Sequence, residues 1–111
     1  MAVRARETGK ASRGAVGKGM ERRVAEFFSA LSSPQRLRIL RIIAEKGEGC
    51  ACELAPVLGL HISVVWRHLA ALERAGILAS RREGQRILFD IADERVLELL
   101  RAAREISEGG W

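Results

Sequence analysis

Cys50 and Cys52 stand one residue apart in the segment GCACEL, residues 49–54. Two thiolates that converge form a soft ligand pair, which selects arsenic(III), antimony(III) or a soft divalent metal over magnesium or calcium. Convergence depends on the backbone between them. On a regular helix, side chains two residues apart point about 200° away from each other; on an extended segment they point to the same side. Pro56 bears on this choice, because a residue without an N–H sits comfortably only in the first helical turn. The spacing therefore predicts a helix N-cap near Cys52 or Glu53, with Cys50 in an extended lead-in and the two sulfurs free to meet. Both would lie at the positive end of a helix, where thiolate is favoured. Two other readings stay open: a redox switch through a strained disulfide, and two small apolar side chains with no chemical role.

Two sulfurs do not close a site by themselves. A tetrahedral structural zinc needs two further N or S ligands. The chain has two histidines, His61 and His68, both on or beside a different predicted helix. Near the C-terminus Asp93, Glu94, Glu98 and Glu105 occur without a histidine. A trivalent arsenic completed by a small thiol, hydroxide or water suits the pair best. The chain shows no Ser/His/Asp set, no phosphate-binding loop and no paired carboxylates, so enzymatic chemistry is not expected.

The second group of chemically capable residues is cationic. Lysine and arginine number 19 against 14 acidic residues, a net charge of +5 that favours nucleic acid or an anionic surface. Arg81, Arg82 and Arg86 cluster about a short turn, Glu83-Gly84-Gln85. Strands are expected over 77–82 and 86–91, so this is a β-hairpin with a basic tip. Such a tip is either a solvated edge or a wing that reaches DNA phosphates.

Ahead of the hairpin, His61 to Ile77 reads as one amphipathic helix. Val65, Leu69 and Leu72 share a face with Ile62, Arg67 falls off it, and Ala75-Gly76 closes it. With the short apolar segment that ends at Gly59, it makes a helix-turn-helix whose second helix is available to a DNA groove. Two helices are expected upstream. Met20 to Leu31 carries Val24, Phe27, Phe28 and Leu31. The next is capped by Ser33, starts at Pro34 and turns Leu37, Leu40, Ile43 and Ala44 inward. A last helix opens at Asp93, with Val96, Leu100, Ala103 and Ile106 in one stripe and Leu97 and Leu99 widening it. That surplus, with Phe27 and Phe28, marks a homodimer surface of Phe27, Phe28, Leu97, Leu100 and Ile106; closing a monomer core is the alternative.

Residues 1–19 hold Arg4, Arg6, Lys10, Arg13 and Lys18 against Glu7, with four glycines, and are expected to be a flexible basic tail or a non-specific phosphate arm. The folded domain is expected over 20–107, with 108–111 as a C-terminal tail. No apolar run reaches the roughly 18 residues of a membrane span, and the N-terminal stretch lacks the apolar centre of a signal peptide. The chain is thus expected in the cytoplasm, without a membrane partner, where two cysteines so closely spaced are not a structural staple.

Three motifs in order resemble the ArsR/SmtB family of winged-helix metalloregulators, specifically its arsenite-responsive branch. They are LSSPQRLRIL at 31–40, SVVWRHLAALERAG at 63–76 and RREG at 81–84, within a resemblance that covers Met20 to Ile106. The CACEL segment resembles the Cys-x-Cys-Asp/Glu-Leu sequence of the soft-metal branch, which can carry a third cysteine where Ala55 stands. Ile62 and Trp66 occupy positions where the family often has Gln and Ser. The resemblance implies a mainly α winged helix-turn-helix with one β-hairpin (ααα-α-ββ-α). It implies a homodimer that represses transcription from double-stranded operator DNA and releases it when arsenic(III), antimony(III) or another soft metal binds Cys50 and Cys52. Ser63, Val64, Arg67 and His68 are then expected at the DNA, with Arg81, Arg82 and Arg86 on phosphates. For His68 a packed or capping ring is the competing expectation. A thiol/disulfide redox regulator and an effector-free architectural winged helix are the alternatives.

Overall fold

Ser33 and Pro34 begin the helix at the centre of the fold. In the computed structural model, which describes residues 13–109, Ser33 is extended and its Oγ accepts the Arg36 N–H at 3.2 Å. Pro34 takes the first helical position, where no N–H is needed. The chain runs α1 (Arg13–Leu31), α2 (Pro34–Lys46), α3 (Ala51–Leu58), α4 (Ile62–Arg74), β1 (Leu78–Glu83), β2 (Arg86–Ile91) and α5 (Arg95–Ser107). The expected order of elements is present. The expected phosphate arm at Arg4, Arg6 and Lys10 lies outside the described residues, as do residues 110–111 of the C-terminal tail.

Several boundaries and faces differ from the sequence reading. The first helix starts at Arg13 rather than Met20. Its glycines weaken a helix by about 1 kcal/mol each, but no proline stops it. Among its described side chains, Ala30 and Leu31 at the C-terminal end enter the core; Phe27 is half-buried and Val24 and Phe28 are exposed. The second helix buries Ile39, Leu40 and Ile43, whereas Leu37 and Ala44 point outward. Those two instead line an open groove shared with Leu97, Leu100 and Ala103 of α5. The last helix buries Val96 alone. Asp93 still serves its start, because its carboxylate accepts the Arg95 N–H at 3.0 Å, although the helix itself begins two residues later.

The core joins α2 to the helix-turn-helix and the hairpin. Ile39, Leu40 and Ile43 meet Leu54 and Leu58 of α3, Val65, Leu69 and Leu72 of α4, then Ile77, Leu78 and Phe89. Helix α4 ends as predicted: Gly76 takes φ +80°, and the Ile77 N–H bonds back to the Leu72 carbonyl at 2.9 Å. The strands pair antiparallel, with Leu78 opposite Ile91 and Glu83 opposite Arg86. The loop is therefore two residues, Gly84-Gln85, rather than the expected three. Gly84 supplies the positive φ, +64°, that a tight hairpin needs at its first central position.

Candidate DNA-binding face and cysteine site

Helices α3 and α4 cross at 116° through the three-residue turn Gly59–His61, within the usual angular range of a helix-turn-helix. The imidazole of His61 caps α4 by accepting the Ser63 N–H at 3.1 Å. Opposite the buried stripe Val65, Leu69 and Leu72, the solvent face of α4 carries Ser63 and Arg67, with Val64 half-buried beside them and Trp66 at the edge of the stripe. Ile62, expected on the inner stripe, is 41% exposed, because the first turn of α4 projects past the core. Arg67 makes no ion pair among the described residues.

His68 is placed differently from Ser63 and Arg67. Its Nδ1 accepts Arg36 Nε–H at 3.0 Å, so the ring ties α4 to α2. Burial, together with the charges of Arg36 and Arg67, holds its pKa below the ordinary histidine value. The folded state therefore binds fewer protons at this ring than the unfolded chain does. The associated stability is present above the unfolded pKa, near 6.5, and is lost as pH falls through it. Thermal unfolding of the wild type should accordingly lose more stability between pH 7.5 and 5.5 than His68→Ala does; equal losses would contradict the tie.

Strand alternation separates the three hairpin arginines. Arg81 and Arg86 share one face of the hairpin and Arg82 takes the other. Arg81 pairs with Glu48 at 2.7 Å, with Glu83 and Asp90 more distant at 3.6 and 3.8 Å. Arg86 pairs with Glu53 at 2.7 Å and donates to Cys50 Sγ at 3.4 Å. Two of the three thus pair with residues at the start of α3 while staying exposed to solvent. Arg82 makes no ion pair among the described residues and lies on the face of Ser80, whose hydroxyl donates to Glu73 of α4 at 2.6 Å.

The cysteines lie at the start of α3, but the helix begins earlier than Pro56 led us to expect. Cys50 is the N-cap, extended at φ −122° and ψ 158°, and Cys52 is already in the first turn. The start is set by Gly49, which is pinned to Phe89 of β2 by a reciprocal pair of backbone hydrogen bonds. The Glu53 and Leu54 N–H groups then close onto the Cys50 carbonyl. A side chain at Gly49 would sit 3.3 Å from Ile43, so this close approach suits glycine. Pro56 is carried inside the helix, where it has no N–H to give the Cys52 carbonyl four residues back.

Cys50 is buried and Cys52 exposed. Their side chains act on one another. Burial pushes the Cys50 thiol up, but Cys52, Arg86 and the Glu53 backbone amide together outweigh it and hold Cys50 below the usual thiol value. Cys52 is pushed the other way, first by its side-chain interaction with Cys50. The pair thus splits, with the inner sulfur's pKa lowered and the outer one's raised. Among the described residues no three His, Cys, Asp or Glu side chains are grouped to hold a metal ion. Two sulfurs alone fall short of the four ligands of a tetrahedral structural zinc.

The model for the arsR family of bacterial regulatory proteins matches residues 33–80, from the cap of α2 through the cysteine pair and helix-turn-helix into β1. The transcriptional regulator Rv0081 of Mycobacterium tuberculosis, itself uncharacterized, is 38% identical over 82 residues, spanning 74% of this chain and 72% of that protein. The chain belongs to the arsR family. As an ArsR-family protein it is a DNA-binding transcriptional regulator and not an enzyme. Its fold resembles the solution structure of the homodimeric winged helix-turn-helix DNA-binding domain of Mb0332 from Mycobacterium bovis, with a TM-score of 0.76, 30% identity and coverage of 90% of this chain and 89% of that one. It also resembles the crystal structure of the antimony-specific repressor AntR, with a TM-score of 0.66, 31% identity and 78% of each chain covered. No single helix among the described residues of this ArsR-family chain is long and apolar enough to cross a membrane.

Sequence reasoning missed Glu48 and Glu53 as the partners of Arg81 and Arg86, and Arg36 as the partner of His68. Each pairing joins residues more than thirty positions apart, so no local spacing signals it.

Proposed function

We propose that this chain is a homodimeric, cytoplasmic repressor that holds operator DNA and releases it when arsenic(III) or antimony(III) binds Cys50 and Cys52. The observation that carries the reading is the placement of two cysteines at the start of α3, Cys50 as its N-cap with Sγ taking the Arg86 N–H and Cys52 exposed in the first turn. Arsenous acid would condense with them: two S–H and two As–O bonds break, two S–As bonds form, two waters leave, and arsenic stays trivalent. The remaining hydroxide supplies the third ligand that the chain lacks. The antimony specificity of AntR supports a soft pnictogen over a hard cation.

For the DNA face, α4 would enter the major groove with Ser63, Val64 and Arg67 toward the bases. Arg82, which makes no ion pair among the described residues, would take a phosphate. Arg82→Ala should then flatten the dependence of log affinity on log salt by about one unit. Filter or anisotropy binding across a salt series reads this directly, and an unchanged slope would remove Arg82 from the contact. The two-fold partner would cover Phe28, Leu99 and Ile106, which are 50%, 36% and 59% exposed here, together with Phe27, Leu97 and Leu100 beside them. An operator of two half-sites about 34 Å apart follows from that symmetry.

Titrating sodium arsenite into the protein while following operator affinity at fixed salt tests the reading. Loss of affinity supports it, and an unchanged affinity rejects the effector while leaving DNA binding intact. A second reading, a thiol/disulfide sensor, is favoured by the depressed Cys50 thiol, since thiolate is the form that oxidises. Peroxide in place of arsenite distinguishes it.

A further inference from the structure

The segment that carries Cys50 is joined to the wing at three places. Gly49 exchanges both backbone hydrogen bonds with Phe89 of β2, at 3.0 and 2.8 Å. Arg81 of β1 reaches Glu48 at 2.7 Å. Arg86, the first residue of β2, donates through Nη2 to Glu53 Oε2 at 2.7 Å and to Cys50 Sγ at 3.4 Å. Only this last join ends on an atom that a soft-metal ligand would occupy. Farther along β2, Phe89 meets Trp66 of α4 edge to face, with ring centroids 5.8 Å apart. Cysteine pair, wing and groove-facing helix therefore form one contiguous packed path.

We propose that Arg86 is the positioning residue that couples the cysteine pair to the wing. In the ligand-free protein it clasps Cys50 and Glu53 and so holds the hairpin in its DNA-binding place; capture of trivalent arsenic by both sulfurs opens the clasp. This rests on the soft-metal reading above. The Cys50 sulfur accepts the Arg86 N–H through a lone pair. Once that sulfur is bonded to arsenic the lone pair is engaged there, and the Cys52 sulfur is drawn to the same atom. Arg86 is left with Glu53 alone, an exposed ion pair of the kind that holds little in water. Cys52, exposed beside the clasp, gives a small ligand its first point of attachment.

The test uses the full chain, DNA from its own promoter and sodium arsenite, with Arg86→Ala, Arg86→Lys and Glu53→Gln. Ligand-free Arg86→Ala is expected to bind operator about 5–150-fold more weakly than wild type, the ordinary size of a coupling, and to change by less than about twofold on adding arsenite. The ultraviolet sulfur–arsenic absorption should still show the ligand bound. Lysine keeps the charge but cannot span both acceptors, so Arg86→Lys should also lose the response. Glu53→Gln loosens the clasp without touching sulfur or arginine and should reduce the response part-way.

Salt separates this role from a direct phosphate contact. If Arg86 only gripped phosphate, its removal would flatten the salt slope by about one unit and leave the arsenite response intact. Loss of a clasp leaves the slope unchanged. Trp66 emission, read in a Trp111→Phe background, should shift with arsenite in the wild-type sequence and be already shifted in Arg86→Ala. Ligand-free Arg86→Ala that binds operator like wild type, or that releases it by the wild-type factor on arsenite, overturns the proposal. If wild type binds no arsenite, the soft-metal reading fails, and the ligand-free affinity and salt slope of Arg86→Ala still decide whether the clasp holds the wing.

Discussion

Phe89→Ala is expected to lower the stability of the fold by about 3–5 kcal/mol, the usual loss for removing a buried phenyl ring from a core. Phe89 is 2% exposed, and its ring packs with the central cluster and against Trp66. Its backbone also holds Gly49 in place, so the cavity opens beside the cysteine segment. Against a typical total of about 5–15 kcal/mol, the loss is a large share. Thermal unfolding should show a melting temperature lower by more than about 10 °C. Ile87→Ala is the control, because Ile87 lies on the same strand and is only partly buried. A Phe89→Ala protein that melts within a few degrees of wild type would mean that the hairpin is an appendage rather than part of the core.

Replacing Cys50 and Cys52 together by serine is the second large effect. A hydroxyl is a hard ligand and does not hold trivalent arsenic as thiolate does. The arsenite response should disappear, and operator affinity without arsenite should fall toward that of Arg86→Ala, because Arg86 then keeps Glu53 alone. Cys52→Ser alone should also abolish the response, since one sulfur cannot chelate, and its exposed position makes a folding defect small. Retention of the full response by the double variant would place the effector site elsewhere in the chain.

Much of the fold was legible because it is written in short-range signals. Ser33 and Pro34 mark a helix start, Gly76 marks a stop, and Val65, Leu69 and Leu72 recur at helical spacing. What was not legible is set by long-range pairing. Pro56 argued locally for a later start to α3, but Gly49 is pinned to Phe89 across forty residues of chain, and that bridge fixes the helix start at Ala51. The inner face of α2 was misjudged for a related reason. Leu37 and Ala44 fit a helical stripe as well as Ile39 does, and only the position of α4 and the hairpin decides which of them is buried.

The candidate site was legible in its residue types more than in its wiring. Cys50 and Cys52 announce soft-ligand chemistry by spacing alone, and the basic cluster at 81–86 announces an anion-seeking hairpin. That Arg82 faces away from Arg81 and Arg86 follows from strand alternation once the register is known. That Arg86 rests on Cys50 does not follow from any sequence rule, because it depends on how far the hairpin folds back over α3.

An effector that releases DNA has to bind the DNA-free protein more tightly than the DNA-bound one. The most direct measurement is therefore fluorescence anisotropy of labelled promoter DNA with the wild-type chain, titrated with sodium arsenite at constant salt and pH. The account predicts that the operator dissociation constant rises by about 5–150-fold and saturates at one arsenic per cysteine pair. An operator dissociation constant that does not move while arsenite is present in large excess over the thiols would contradict it.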